Sequence, residues 1–295
     1  MNISNDYKLT YIPLKVMNKK IFNDYSCIEY QSNNKPVAIV EGRYLNWDSD
    51  ILGVPCARID SLWADSQKNM DKLNVALSNI LLKMDNDGIR LCDIRIGMHS
   101  FDMIHIAEHN GFKLMDVLNI YLSKGESYQK NSNFNQNFRI MANPTLSEKQ
   151  VIQAEKIAMK VFNYSRLYQD KNIAPHLCDF FYKSLFKNLL KDHNSEIGIA
   201  LEKDESVAGF YIGFMETDIR LKGGFGYLWI IATASHHIGK RIGSQLLCTF
   251  LNTMHKTCSL IEIGTQINNY PANILYKSNN LSVVANVATF HRWNE

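Results

Sequence analysis

Residues 226–247 read GYLWIIATASHHIGKRIGSQLL, a hydrophobic run that leads into a short basic loop and then into an amphipathic helix. Backbone N–H groups in the first turn of a helix have no intrahelical acceptor and carry the positive end of the helix dipole. Such a turn can hold a pyrophosphate, and Gly239 and Gly243 would let the backbone approach it closely. The same pattern is also typical of an ordinary strand-to-helix turn.

A second informative stretch is QINNYPANILYKSNNL, residues 266–281. Pro271 suits the first turn of a helix, and Asn269 precedes it as a cap. Leu275 and Tyr276 then share one helical face with Ala272. Tyr276 can be read either as a core tyrosine or as a functional one.

The composition is that of a soluble globular protein. The 295 residues are 46% hydrophobic and 21% charged, which fits one large domain or two ordinary ones and argues against general disorder. No apolar run approaches the roughly 18 residues of a membrane span, and the N-terminus lacks the apolar segment of a secretory signal. We therefore expect a cytoplasmic protein that does not bind membranes.

Charge and cysteine usage exclude further classes. Six cysteines with no CxxC pair predict buried thiols, and we expect no metal. A net charge of +3 gives no reason to expect nucleic acid as a partner. No acidic residue lies between Asp218 and Glu262. The lack of acidic residues is either a chance variation in composition or the source of a local positive potential suited to a phosphate-bearing ligand.

The polar, Asn-rich segment at 123–138 predicts a division of the chain. We expect a first domain over 1–125, a linker over 126–137 and a second domain over 138–295. Apolar periodicity predicts helices at about 69–84, 101–109, 145–162, 174–190, 240–255 and 270–278. It predicts strands at about 35–44, 56–62, 91–96, 113–122, 138–142, 197–202, 207–215, 226–233, 259–264 and 281–290. The end of the first part has the order β-α-β-α-β, which repeats the last five elements of the second and suggests an internal duplication.

Together the two stretches resemble the GCN5-related N-acetyltransferase (GNAT) superfamily over about residues 138–292. Its second motif is matched by Asn269, Ala272, Leu275 and Tyr276, with Asn280-Leu281 where Gly-Phe is usual. Its glycine-loop motif is matched by Gly239, Lys240 and Gly243, whereas Ile238 and Arg241 stand where Gln/Arg and the first glycine are usual.

The resemblance implies an α/β (α+β) tandem GNAT-like fold, with acyl-CoA as co-substrate of its complete second half. The expected acyl-CoA-binding residues are Ile230, Ile231, Ala232, Ile238, Gly239, Lys240, Arg241, Ile242, Gly243, Ser244 and Asn269. The first half lacks both motifs. Its strand-to-helix junction, SLWADSQKNMDKL at 61–73, has no glycine, and Ala107 aligns with Tyr276. We expect the first half not to bind CoA.

Within the superfamily, the chain is most similar to N-acyltransferases of dTDP-linked amino sugars, such as the dTDP-fucosamine acetyltransferase group. The likeness lies in LNWDSD at 45–50 with Gly53, in Ser165-Arg166-Leu167-x-x-Asp170, and in Thr289-Phe290-His291. It implies a small nucleotide-sugar acceptor and an acetyl or short acyl chain such as 3-hydroxybutyryl. The expected substrate-binding residues are Trp47, Ser165, Arg166 and Asp170. A helix-end salt bridge for Arg166 and Asp170, and a core position for Trp47, are the alternatives.

The implied reaction is direct attack of the amine on the thioester. A backbone N–H around Ile230–Ala232 would stabilise the oxyanion, and Tyr276 would protonate the leaving thiolate as general acid. No base is assigned among His236, Glu216, Glu262 and Asp170. Acetylation of a protein or another small-molecule amine, a non-catalytic acyl-CoA sensor, and a homodimer remain open.

Overall fold

The computed structural model describes residues 24–30, 35–125, 136–217 and 224–294. Its strands are β1 (Tyr25–Tyr30), β2 (Pro36–Tyr44), β3 (Cys56–Ala64), β4 (Leu91–Gly97), β5 (Lys113–Lys124), β6 (Arg139–Ala142), β7 (Ser195–Leu201), β8 (Val207–Thr217), β9 (Gly224–Thr233), β10 (Cys258–Gln266) and β11 (Ser282–Trp293). Its helices are α1 (Asn46–Leu52), α2 (Met70–Asn86), α3 (Phe101–His109), α4 (Glu148–Val161), α5 (Arg166–Gln169), α6 (Pro175–Lys191), α7 (Ile242–Met254) and α8 (Tyr270–Ser278).

The chain divides into two compact units. Unit 1 comprises Met1–Leu118, Arg166–Leu177 and Ala285–Glu295, and unit 2 comprises Asn119–Ser165 and Cys178–Val284. These units do not coincide with the division expected at 125 and 138, because two later segments belong to unit 1. Residues 126–135 of the expected linker lie outside the described residues. The expected domain bounds at 1–125 and 138–295 stay a prediction.

In unit 1, strands β1, β2 and β3 form an antiparallel meander. Strand β4 lies parallel to β3, and β11 pairs antiparallel with β4. Helix α2 buries a stripe at helical spacing that includes Leu73, Leu77, Ile80 and Met84. This stripe joins the apolar core of the unit, which also contains Ala107, Phe112 and Phe290.

In unit 2, strands β6 to β9 form an antiparallel sheet, and β10 pairs parallel with β9. One apolar core packs α7 and α8 on this sheet and contains Leu246, Phe250 and Tyr276. Another contains Ala154 of α4, Phe186 of α6 and Phe210 of β8. Helix α4 begins at a capping box, in which Ser147 and Gln150 satisfy each other's backbone N–H groups.

The pattern-based elements are confirmed for most of the described chain. The helices expected at 101–109 and 270–278 have those bounds, and α2, α6 and α7 begin and end within two residues of the expected ones. Strand β1 and the short helices α1 and α5 were not expected, because each is too short to complete a periodic pattern. No helix in the described part of the chain is long and apolar enough to cross a membrane.

Candidate functional site

An opening between two parallel strands is the main feature of unit 2. Strands β9 and β10 pair only from Cys258↔Gly224 to Ile263↔Leu228, although β9 continues to Thr233 and β10 to Gln266. The two strands therefore separate at their carboxyl ends. Ligands of α/β sheets bind outside the carboxyl ends of the strands, where the following loops begin.

A β-bulge lies at the start of this opening. Strand β8 pairs Ile212 with Ile230 but Gly213 with Leu228, which makes Trp229 an additional residue on β9. A bulge locally redirects the backbone and its side chains. Residues 230–232, expected to contribute the oxyanion donor, follow the bulge directly and form the part of β9 that does not pair with β10.

The loop after β9 contains two residues in the left-handed backbone region. Gly239 has a φ of 84° and Arg241 a φ of 63°. Glycine adopts this region without penalty, whereas a side chain costs about 1–2 kcal/mol. Arg241 occupies the position where the superfamily motif has its first glycine, so the unusual residue keeps the glycine-type conformation. Arg241 is also the N-cap of α7.

The first turn of α7 is the expected anion-binding element. Its amides have no intrahelical acceptors. A Cβ on Gly243 would meet Leu275 at 3.4 Å and Thr233 Oγ1 at 3.6 Å, which are ordinary contact distances, so the start of α7 lies close to both β9 and α8. The Ser244 hydroxyl accepts a hydrogen bond from Asn279 at 3.2 Å and keeps its own proton to donate. Ile238, Lys240 and Arg241 are exposed, whereas Ile242 is buried.

Tyr276 lies on α8 in an apolar environment. It is 3% exposed, and its ring contacts Tyr121 edge-on with the centroids 5.1 Å apart. Burial, with a smaller contribution from Tyr121, raises the pKa of Tyr276 far above its ordinary value of 10. The neutral hydroxyl, the form that can donate a proton, therefore persists across the physiological pH range. The hydroxyl of Tyr121, by contrast, donates to Asn273 Oδ1 at 2.7 Å.

Asn269 has a structural role in the described contacts. Its Oδ1 accepts from the amide of Ala272 at 3.4 Å and caps α8, while its Nδ2 donates to Thr265 Oγ1 at 3.0 Å. The cap expected from the sequence is confirmed. The expected contact of Asn269 with the cofactor stays a prediction.

The alignment of Ala107 with Tyr276 is supported by backbone geometry. Gly111 and Asn280 both have positive φ, and the next residue donates back to Ala107 and Tyr276 respectively, at 3.1 Å in each case. Asn110 and Asn279 also donate side-chain hydrogen bonds of 2.8 Å to the carbonyl four residues earlier. The same turn therefore ends α3 and α8, but only α8 carries a tyrosine at the equivalent position.

The expected substrate residue Arg166 belongs to an ionic network within unit 1. Its Nη2 lies 3.8 Å from Asp48 Oδ1, and its Nε lies 3.5 Å from Asp93 Oδ2. Arg58 binds the same Asp93 more closely, with its Nε donating to Oδ1 at 2.6 Å. Burial opposes the charge on Asp93, but the neighbouring Arg58, together with Arg166, holds its pKa well below the ordinary range. Trp47 lies half-buried beside Asp48 on α1.

Asp170 is buried in a separate set of hydrogen bonds in unit 1. It accepts from His291 Nδ1 at 2.7 Å and from Trp293 Nε1 at 2.8 Å through the same oxygen. Burial alone would raise the pKa of Asp170, but the hydrogen bond from His291, followed by that from Trp293, holds it below the usual value. Ser165 is buried in unit 2, and its hydroxyl has no hydrogen-bond partner among the described residues.

Sequence reasoning missed Asp93 and Arg58. Neither lies in a recognisable motif, since Asp93 is one polar residue in a hydrophobic strand. A charged residue in a buried strand needs a partner, and that requirement was the available signal.

Comparison with known proteins gives a family match over part of the chain and similar solved structures over most of it. Residues 161–280 match the Acetyltransferase (GNAT) family. No curated protein matches the sequence. Solved structures match most of the chain at low identity, which establishes the fold.

One similar structure is a tandem GNAT protein from the clavulanic acid biosynthesis pathway, with 9% identity, 89% of this chain and 81% of that chain covered, and a TM-score of 0.60. Another is a GCN5-related N-acetyltransferase from Sphaerobacter thermophilus, with 9% identity, 91% and 80% covered, and a TM-score of 0.60. A third is a GCN5-related glucosamine N-acetyltransferase region of a fungal multi-domain β-N-acetylglucosaminidase, with 10% identity, 90% and 32% covered, and a TM-score of 0.61.

The family match and the tandem GNAT-like fold together support an acyl-CoA-dependent N-acetyltransferase. Residues 161–280, which are less than half of the chain, match the GNAT acetyltransferase family, and the mixed α/β fold is similar to that of a tandem GNAT protein over most of the chain. The expected fold class and the expected type of enzyme are confirmed.

Proposed function

We propose that the protein transfers an acyl group from acyl-CoA to the amine of a nucleotide-linked amino sugar, with Tyr276 as general acid. The observation that carries the proposal is the separation of β9 and β10 after Leu228 and Ile263. The loop that follows β9 opens α7, and the helix that follows β10 carries Tyr276. One opening is therefore followed by an anion-binding turn and by a proton donor.

The donor acyl-CoA is assigned to the opening and the α7 turn. The amides of Ile242, Gly243 and Ser244 would bind the pyrophosphate, and the exposed side chains of Lys240 and Arg241 would add positive charge. The unpaired part of β9, residues 230–232, would follow the pantetheine chain and place an N–H at the developing oxyanion. Asn269 would support this region by holding the start of α8.

The reaction is a direct displacement. The amine nitrogen attacks the thioester carbonyl carbon, a C–N bond forms, and the C–S bond breaks. Tyr276 gives its proton to the departing thiolate and regains one from solvent, while the amine loses its proton to water. A sugar amine with a pKa near 8, as for an α-amino group, is partly neutral at pH 7. The proposal therefore assigns no protein base.

The acceptor is assigned to Trp47, Ser165, Arg166 and Asp170 on the strength of the family resemblance. Two features support it. The guanidinium of Arg166 lies 3.5–3.8 Å from its carboxylate neighbours, and its Nε has no hydrogen-bond acceptor among the described residues, so its donors are not saturated. The similar fungal region, moreover, is described as a glucosamine N-acetyltransferase. An arginine fork suits a diphosphate.

The reaction is tested by measuring free CoA thiol. Acetyl-CoA and 3-hydroxybutyryl-CoA are each combined with dTDP- and UDP-linked amino sugars, free glucosamine, a polyamine and a lysine peptide. We expect release that depends on a nucleotide-linked amino sugar. Release with the peptide or polyamine alone would overturn the acceptor, and CoA binding without release from any amine would identify a sensor.

The general acid is tested by Tyr276→Phe. We expect kcat to fall about a hundredfold with little change in KM. The matched control is Tyr121→Phe, which removes a neighbouring buried hydroxyl that is engaged with Asn273. We expect this control to keep the wild-type kcat within a few-fold. Equal losses in both variants, or none in Tyr276→Phe, would remove Tyr276 from the mechanism.

A further inference from the structure

Glu202, His236 and His237 come together in unit 2 at the start of the loop that precedes α7. One ligand atom from each lies within 4.8 Å of the other two. His237 Nε2 is 2.8 Å from Glu202 Oε1, and the rings of His236 and His237 lie 4.0 Å apart between centroids. None of the three has a step in the proposed acyl transfer.

Of the two histidines, His237 is held in place by its surroundings, whereas His236 can change its side-chain orientation. His237 is 3% exposed and packs edge-on against Phe138, with the ring centroids 5.2 Å apart. His236 is exposed and can rotate. Donor atoms bound tetrahedrally at about 2.0–2.1 Å from zinc lie about 3.3 Å from one another. The Glu202–His237 pair is already close to this separation, and a rotation of His236 brings in the third donor.

We propose that Glu202, His236 and His237 bind one divalent late first-row transition-metal ion such as Zn²⁺, with water completing its coordination. Two imidazoles and one carboxylate suit such an ion, whereas Mg²⁺ and Ca²⁺ prefer oxygen ligands. From the sequence alone we expected no metal, and the proposal departs from that expectation because the fold brings Glu202 to the two histidines. The proposal does not depend on the acyl acceptor.

Lys240 is the competitor of the metal ion. Its Nζ lies 3.1 Å from His237 Nδ1. An ammonium group can only donate, so Nδ1 accepts and the ring proton resides on Nε2, from which it is donated to Glu202. A metal ion at Nε2 displaces that proton, and Nδ1 must then carry one. The Lys240 ammonium must move away before this can happen. Its hydrogen bond to His237 and its positive charge therefore both weaken metal binding.

The test is a titration of the chelator-treated full-length protein with Co²⁺, followed by visible absorption, and with Zn²⁺, followed by calorimetry. We expect saturable binding of one ion per chain. His236→Ala should weaken binding at least about tenfold, and because this side chain is exposed the fold should be unaffected. Lys240→Met should tighten binding about threefold or more.

The control is His193→Ala. His193 is also exposed but precedes β7, whereas Glu202 follows the same strand, which places it about 20 Å away at 3.3 Å per residue. We expect wild-type binding for this variant. Absence of saturable binding up to about 1 mM Co²⁺, or wild-type affinity in His236→Ala, would overturn the site. Unchanged affinity in Lys240→Met would overturn the competition.

Discussion

At the scale of the residue, Arg241 combines a positive charge with a backbone conformation that favours glycine. Its φ of 63° places it in the left-handed region, directly before the first residue of α7. The protein thus retains the loop conformation of the superfamily motif without the glycine that makes it inexpensive. The guanidinium adds positive charge beside the proposed pyrophosphate. We therefore expect the backbone strain at Arg241 to be offset only when acyl-CoA is bound.

Two substitutions separate the strain from the charge. Arg241→Gly and Arg241→Ala both remove the guanidinium, but only glycine adopts the left-handed region freely. We expect Arg241→Gly to be about 1 kcal/mol more stable than Arg241→Ala in urea unfolding. Both should bind acetyl-CoA more weakly than the wild type, and by the same factor. Equal stability of the two variants would contradict the positive φ.

The sequence predicts the loop residues better than it predicts their partners. The glycine-loop pattern located residues 238–244 at the start of a helix, and the structure has that helix beginning at Ile242. The contact of Arg166 with Asp93 joins residues 73 positions apart, and no local pattern encodes it. Asp93 could be predicted only as a buried charge in need of an unknown partner.

At the scale of the element, the bulge in β9 depends on a glycine in the neighbouring strand. Gly213 lies where the register between β8 and β9 shifts. A Cβ at this position would lie 2.2 Å from the ring of Phe250 and 2.6 Å from the carbonyl oxygen of Tyr227. Helix α7 can therefore pack over the bulge only because residue 213 has no side chain.

Gly213→Ala should destabilise the protein by about 1–3 kcal/mol, the usual cost of overpacking a core. The matched control is Gly264→Ala on β10, where a Cβ would meet Ile120 at an ordinary 3.6 Å. We expect the control to unfold within about 0.5 kcal/mol of the wild type. Urea unfolding of the three proteins measures both effects. A Gly213→Ala variant as stable as Gly264→Ala would show that α7 does not pack against β8 in this way.

Helices and strands whose hydrophobic pattern repeats over many residues could be predicted from the sequence. Bulges and very short helices could not. The alternation of apolar residues located β8 and β9, but the register shift at Gly213 depends on how two strands and a helix pack together. Helix α1 has seven residues, several of them polar, and ends at Gly53 with a φ of 70°. The only local signal for this helix is that glycine, which suits the left-handed residue just after a helix.

At the scale of the whole molecule, unit 1 is assembled from three stretches of the chain. Asp48 and Asp93 come from its first stretch, Arg166 and Asp170 from its second, and His291 from its third. The salt bridge between Arg166 and Asp93 and the hydrogen bond between His291 and Asp170 connect these stretches. Three patches that carried the family resemblance thus supply residues to the buried polar interactions of one unit.

These interactions predict a dependence of stability on pH. The pKa of Asp93 and, less strongly, that of Asp170 lie below the unfolded value of about 3.9. A carboxyl group with a lowered pKa stabilises the folded state above its unfolded pKa, and this stabilisation is lost as the pH falls through the folded value. The wild-type free energy of unfolding should therefore decrease as the pH falls below about 5.

Asp93→Asn isolates the buried carboxylate, because the amide keeps its size but leaves Arg58 and Arg166 without that negative charge. We expect a loss of about 3–5 kcal/mol at pH 7, the scale of breaking a buried ion pair. The loss should shrink below about pH 4, because Asp93 then becomes protonated in the unfolded wild-type protein while it stays ionised in the folded one, and this lowers the wild-type stability toward that of the variant. Asp50→Asn, an exposed change in the same unit, should stay within about 0.5 kcal/mol of the wild type throughout. Urea unfolding from pH 2.5 to 8 measures the three curves. Parallel curves for Asp93→Asn and the wild type would mean that Asp93 is not the charged centre of this network.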